Sequence, residues 1–255
     1  MIGAVPLTLA LAFAVTALLY ASVGFGGGST YAALLALADL DYRLLPLVAL
    51  ACNIVVVAGG TVRFARAGIT PWRGALVFTA LAAPAALIGG LIPIEQALFT
   101  VLLGASLILT GLTMLIPVRE RALETQASEP TRMARYVPFA AVPLGFLAGL
   151  VGIGGGIFLA PLLHLTRWNG AREVAASASL FILVNSLFGL AGQVLKQGPG
   201  VLGAVIDAAL PLMIAVAIGG QVGSFLAVRL LPVRWVRWMT AALVMIVGAR
   251  LLLSL

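Results

Sequence analysis

Two glycine runs, Gly24-Phe25-Gly26-Gly27-Gly28 and Gly152-Ile153-Gly154-Gly155-Gly156, are the positions at which this chain has the means to bind a ligand. Consecutive glycines each lose about 1 kcal/mol of helix propensity, so a continuous helix through either run is disfavoured. A helix that restarts after such a break presents unpaired backbone N–H groups and the positive end of its dipole. Glycine lets a small anion approach that backbone closely. The restarts are expected near Ser29 and Ile157, which makes Gly26, Gly27, Gly28, Ser29, Gly154, Gly155, Gly156 and Ile157 candidate anion-binding positions.

Asn53 and Asn185 join them, as amides in the middle of otherwise apolar stretches. Such an amide can simply tie two helices together, but polar groups at membrane depth also mark substrate pathways. The repeat described below relates the two asparagines and favours the second role, with similar contributions expected from each. Ser29, Thr30, Ser177 and Ser179 are weaker candidates, because small hydroxyls often bond their own helix backbone. No Lys or Arg lies in the middle of an apolar stretch, which favours backbone and amide coordination over a salt bridge.

The elements that must position these residues are membrane helices. Of the 255 residues 62% are hydrophobic and only 9% charged, with a mean hydropathy of +1.17. A soluble domain needs about a quarter of its residues charged, so lipid is the solvent this composition suits. Apolar stretches fall at 5–22, 29–38, 43–64, 71–91 and 94–116, then at 136–151, 156–166, 172–195, 204–230 and 233–253. The N-terminus lacks the basic start of a cleaved signal peptide, so 5–22 is read as retained membrane structure. Thr70-Pro71 resembles an N-cap followed by a first-turn proline, and Pro232 marks another start. The net charge of +7 comes without a basic, aromatic-rich soluble face, which argues for membrane orientation and against nucleic acid.

The chain divides into a first repeat, 1–117, a polar linker, 118–135, and a second repeat, 136–255. The glycine runs correspond at an offset of 128 residues, Asn53 and Asn185 at 132, and Ile88-Gly89-Gly90 and Ile218-Gly219-Gly220 at 130. Internal duplication of this kind is characteristic of secondary transporters. The Gly89-Gly90 and Gly219-Gly220 pairs read as packing sites, where an added methyl should be milder than bulk at Gly27 or Gly155.

Basic residues choose between two topologies. If 5–22 crosses fully, the halves run parallel and the fifteen basic residues split nine to six. If each break forms a re-entrant hairpin followed by three crossings, the second half is inverted. The split is then twelve to three, with only Arg43, Lys196 and Arg250 outside. The positive-inside rule selects the inverted arrangement, with a cytoplasmic linker and both termini outside the cytoplasm. It also gathers Trp72, Trp168, Trp235 and Trp238 at one interface. The fold class expected is an all-α polytopic membrane protein of two inverted repeats, each a broken-helix hairpin plus three transmembrane helices.

The other ionisable groups have ordinary explanations. His164 suits the interface beside Arg167 and Trp168, Glu173 and Asp207 suit helix starts, and Cys52 suits packing. One cysteine and one histidine are too few for most transition-metal sites, so no metal or cofactor is expected. The chain has no nucleophile–base set and no nucleotide motif, so no enzymatic activity is expected.

The paired G-x-G-G-G runs, Pro161-Leu162-Leu163 after the second, and Gly68-Ile69 opening the third helix resemble the TauE/SafE family of sulfite and organosulfonate exporters, also described as sulfonate uptake permeases. The resemblance covers essentially the whole chain. It departs at Ala33, where the second half has Pro161, and at Ala51-Cys52-Asn53, where a Thr-Ser pair is often seen. The resemblance implies a bacterial inner-membrane transporter of a small sulfur-containing anion, working outward. A passive anion channel using the same pore elements is the alternative.

Overall fold

The computed structural model describes residues 6–22, 26–115, 132–198, 200–226 and 233–254. Gly24, Phe25, Pro232 and the 118–131 part of the linker lie outside the described residues. Everything described is helix or short connection. The order is α1 Leu7–Ser22, α2 Gly28–Leu37, α3 Leu45–Arg66, α4 Trp72–Leu91 and α5 Gln96–Leu115. A 3-10 turn at Arg132–Tyr136 then leads into α6 Val137–Val151, α7 Gly156–Leu165, α8 Ala171–Gln197, α9 Val201–Leu226 and α10 Val233–Leu253. Among the described residues, six segments are long and apolar enough to cross a membrane. The protein is an all-helical, multi-pass membrane protein.

The glycine runs break the helices where their propensity requires it. α2 and α7 begin at equivalent repeat positions, Gly28 and Gly156, and both are 10 residues long. Each start is one residue earlier than Ser29 and Ile157, because the capping glycine is Gly27 in one half and Gly155 in the other. Both caps are left-handed, with φ of 80° and 75°. At about 1.5 Å per residue, a 10-residue helix spans roughly 15 Å, half of a 30 Å hydrocarbon core. α1, at 16 residues, reaches roughly 24 Å and also falls short of a full crossing.

Close helix approach rests on small residues. A methyl group at Gly145 or Gly149 of α6 would meet the carbonyls of Ala82 and Ala86 on α4. At Gly219 and Gly223 of α9 it would meet those of Ala14 and Leu18 on α1. The first helix of each half therefore packs along the second full-length helix of the other half, α6 on α4 and α1 on α9, running in the same direction. Gly89 and Gly90 are packing sites too, facing Phe146 on α6 and Gly189 on α8. Gly220 differs, since Val56 and Ala21 stand at ordinary van der Waals distance from it.

Two further pairs run antiparallel. Thr61 of α3 hydrogen-bonds Ser179 of α8 at 3.0 Å, while Leu50 faces Gly189 at the other end of the same contact. Gly104 of α5 faces Gly248 and Leu252 of α10, while Gly111 faces Ala241 and Met245.

Some local expectations are corrected. Pro71 is itself the N-cap of α4, and the Thr70 hydroxyl has no partner among the described residues. α9 extends back to Val201, so Asp207 lies within that helix and not at its start. Glu173 does occupy the first turn of α8. Trp168 packs edge-on against Phe78, with ring centres 5.4 Å apart, so it takes part in interior packing.

Candidate functional site

The two glycine breaks meet around one side chain. Asn53, fully buried on α3, donates its Nδ2 hydrogen to the carbonyl of Ile153 in the second break, at 3.2 Å. The first break lies against the same amide: a Cβ at Gly28 would collide with both Asn53 Nδ2 and the Ile153 carbonyl. One at Gly26 would sit 2.5 Å from Asn53 Oδ1, and one at Gly154 would again strike Nδ2. Any side chain at these three positions would displace the amide, which gives the glycines a role beyond breaking the helix.

The helix starts here carry free donors. In α2 the first backbone bond runs from the Tyr31 N–H to the Gly27 carbonyl, at 2.9 Å. The N–H groups of Gly28, Ser29 and Thr30 precede it and have no intrahelical partner. In α7 the first bond runs from the Phe158 N–H to Gly155, at 3.1 Å, leaving those of Gly156 and Ile157. Neither start has a side-chain cap. Asn53 Oδ1 and Ser29 Oγ, both buried, also lack a partner among the described residues. A buried polar atom without a partner is costly, so this concentration marks a ligand site more readily than a packing motif.

These groups enclose about 10 Å³, lined by Tyr20, Gly26, Gly27, Gly28, Ser29, Asn53, Ile153, Gly156 and Ile182. That is room for about one water and not for a sulfur oxyanion. In this conformation the site is closed.

Most of the expected residues converge, and some do not. Gly26, Gly27, Gly28, Ser29, Asn53 and Gly156 line the cavity, and Gly154 touches Asn53 from behind. Gly155 faces Ala148 and Phe181, caps α7 in the left-handed conformation and is not among the lining residues. The Ile157 N–H precedes the first backbone bond of α7; its side chain is outside the described residues. Asn185 is fully buried, but neither polar atom of its side chain has a partner among the described residues and it does not line the cavity. The neighbouring Ser186 faces Gly154 instead. The repeat relates Ile153, the partner of Asn53, to Phe25, which lies outside the described residues.

Sequence reasoning missed Tyr20, whose hydroxyl pairs with Thr30 Oγ1 at 2.9 Å at the cavity edge. The available signal was a hydroxyl-bearing residue just before the break in an apolar stretch. It also missed an asymmetry. Tyr20, Ser29, Thr30 and Tyr31 correspond to Ala148, Ile157, Phe158 and Leu159, so on the two broken-helix segments themselves these hydroxyls belong to the first half. Of the other hydroxyls, Ser177 bonds its own helix at Glu173, as expected of such groups. Thr30 and Ser179 instead tie different helices together.

Comparison with known proteins places this architecture. The family model described as "Sulfite exporter TauE/SafE" matches residues 9–251. The chain belongs to the TauE/SafE family. It is 34% identical over 247 residues, 96% of this chain and 97% of the relative, to "Probable membrane transporter protein y4hK" of Sinorhizobium fredii (strain NBRC 101917 / NGR234). No solved structure matches it. As a TauE/SafE protein it is a membrane transporter.

Proposed function

We propose that this protein is a secondary transporter that exports a small sulfur-containing anion, sulfite or an organosulfonate, across the bacterial inner membrane. The observation that carries the proposal is the convergence of two uncapped helix starts on Asn53. The free amides of Gly28, Ser29, Thr30, Gly156 and Ile157 supply donors and two positive dipole ends without a fixed cation. Ser29 Oγ, the Asn53 amide and the Tyr20 hydroxyl complete the polar lining. An anion held by dipoles and hydrogen bonds can leave again, as a transport cycle requires. Asn185, buried beside Ser186, belongs to the same pathway and is engaged when the second half rearranges.

The antiparallel contacts support inverted repeats. α3 with α8 and α5 with α10 are each a helix paired with its own repeat counterpart. A two-fold axis in the membrane plane makes such self-pairs antiparallel, whereas an axis along the normal would make them parallel. With the twelve-to-three charge split, the domain reading is a first repeat over 1–117, a cytoplasmic linker over 118–135 and a second repeat over 136–255, both termini being outside the cytoplasm.

The closed cavity favours a transporter over a passive channel. Binding an oxyanion requires α2 and α7 to separate, and alternating access supplies that motion. Thermal stabilisation of purified protein by a panel of anions tests the substrate class. Ligand at 100 times its Kd adds about 2.7 kcal/mol of stability. Stabilisation by sulfite or a sulfonate is expected; stabilisation by a metal cation or a sugar alone defeats the assignment.

A further inference from the structure

We propose that a second anion-binding site, a vestibule for the same class of small oxyanion, lies at the mouth formed by the α2–α3 loop, the α4–α5 loop and the end of α8. The proposal rests on the transport reading above for the identity of the anion, and on its own geometry for the site. The mouth is a pocket of about 530 Å³, lined among others by Arg43, Glu95, Gln193 and Lys196. It is roomy where the midplane cavity is closed.

Its charge balance favours an anion. Arg43 and Lys196 are its two cations and Glu95 its one carboxylate. Glu95 immediately precedes α5 and its charge complements that helix start, where anions are stabilised. The nearby Asp41 carboxylate accepts the Arg43 backbone N–H at 2.9 Å. The Arg43 guanidinium bonds the Tyr42 hydroxyl at 3.3 Å and keeps further donors for a ligand. Gln197 donates to the Arg43 carbonyl at 2.8 Å, pinning this loop onto α8 beside Lys196.

The pocket also abuts the second break. Gln193, buried to 1% exposure, donates its Nε2 hydrogens to the carbonyls of Gly149 and Leu150, at 2.9 and 3.3 Å. These are among the last carbonyls of α6, unpaired within the helix. Gln193 Oε1 is left without a partner among the described residues, a buried acceptor in the wall of a polar pocket. It suits a hydrogen from the hydration shell of an ion held in the pocket. Pro46 and Leu150 line the same pocket, and Gly152 lies against Pro46, so the end of α6 is what separates the vestibule from the Asn53 cavity. An anion halted here sits one helix end from the midplane site.

The test separates the field of the vestibule from the identity of the substrate. In a Cys52→Ala background, Ile94→Cys places a thiol in the pocket, and Gly203→Cys, in open space on α9, serves as reference. The modification rates of each are compared for anionic and cationic methanethiosulfonate reagents. The anionic preference at Ile94→Cys should exceed the reference by about tenfold at low salt. Added salt should collapse it, and so should the pair Arg43→Gln and Lys196→Gln. Calorimetry with sulfite should then resolve a weaker class of site, lost in the charge-neutralised pair and retained in Asn53→Leu. An unchanged preference after neutralisation, as expected of a lysine that merely snorkels to headgroups, overturns the vestibule whatever the midplane site does. Retention of the weaker class after neutralisation overturns it too. Anionic preference without any sulfite binding defeats the sulfur-anion reading while leaving the anion vestibule standing.

Discussion

Asn53 has one satisfied and one unsatisfied end, and that difference defines its role. Its Nδ2 group holds the second break through Ile153, while Oδ1 faces Gly26 without a partner. Asn53→Leu should therefore weaken sulfite binding by about 1–3 kcal/mol, the usual consequence of losing a buried polar partner. Titration of purified, monodisperse variants measures it. Asn185→Leu should have the smaller effect on this closed conformation, because Asn185 is outside the lining. Cys52→Ala should leave affinity nearly intact, since that buried side chain only packs. Equal losses at Asn53 and Asn185 would mean that the anion is held symmetrically, against the asymmetry of the hydroxyls. At the same scale, Gly28→Ala should abolish transport, because its methyl would fall between Asn53 and the Ile153 carbonyl. Gly203→Ala is the control: its methyl meets nothing, and replacing glycine within a helix adds about 0.5–1 kcal/mol of stability.

Between elements, the glycines of α6 and α9 decide how closely helices from different halves approach. Gly219 is a packing position, and a tight one, because an added methyl would strike the Ala14 carbonyl on α1. A backbone atom cannot yield as a flexible side chain can. Gly219→Ala and Gly149→Ala should each destabilise by about 1–3 kcal/mol, the range for overpacking. The readout is a lower thermal midpoint in detergent, with anion affinity retained in the folded fraction. Gly220→Ala, with only ordinary contacts around it, should be the milder change of the adjacent pair. If Gly219→Ala melts with the wild type, α1 does not lie along α9 as described.

For the whole molecule, pairing each half's first helix with the other half's second full-length helix makes the repeats mutually dependent. Neither repeat buries its first helix alone, so the breaks come together only when both halves are present. The inverted reading makes a testable statement about sidedness. Reporter fusions within 118–135 should report cytoplasmic, and fusions at the C-terminus should report the opposite side. The same side for both positions would require an even number of crossings between them and would defeat the inverted reading.

The sequence alone determined the solvent, the duplication and the breaks. These are properties of composition and local propensity: too few charges for water, offsets near 130 residues, and glycine runs that no helix passes through at low cost. It singled out Asn53 because an amide in an apolar stretch is conspicuous wherever it folds. It did not distinguish Asn53 from Asn185, or a capping glycine such as Gly155 from a lining one such as Gly156. That distinction depends on which neighbour each Cα faces across the bundle. How tightly Gly219 packs was hidden for the same reason, since tolerance for a methyl is set by the Ala14 carbonyl more than 200 residues away in the chain. Tyr20 and the mouth around Arg43, Gln193 and Lys196 were hidden because their members come from separate elements. Local propensity places the breaks, but only long-range packing brings two of them to one amide.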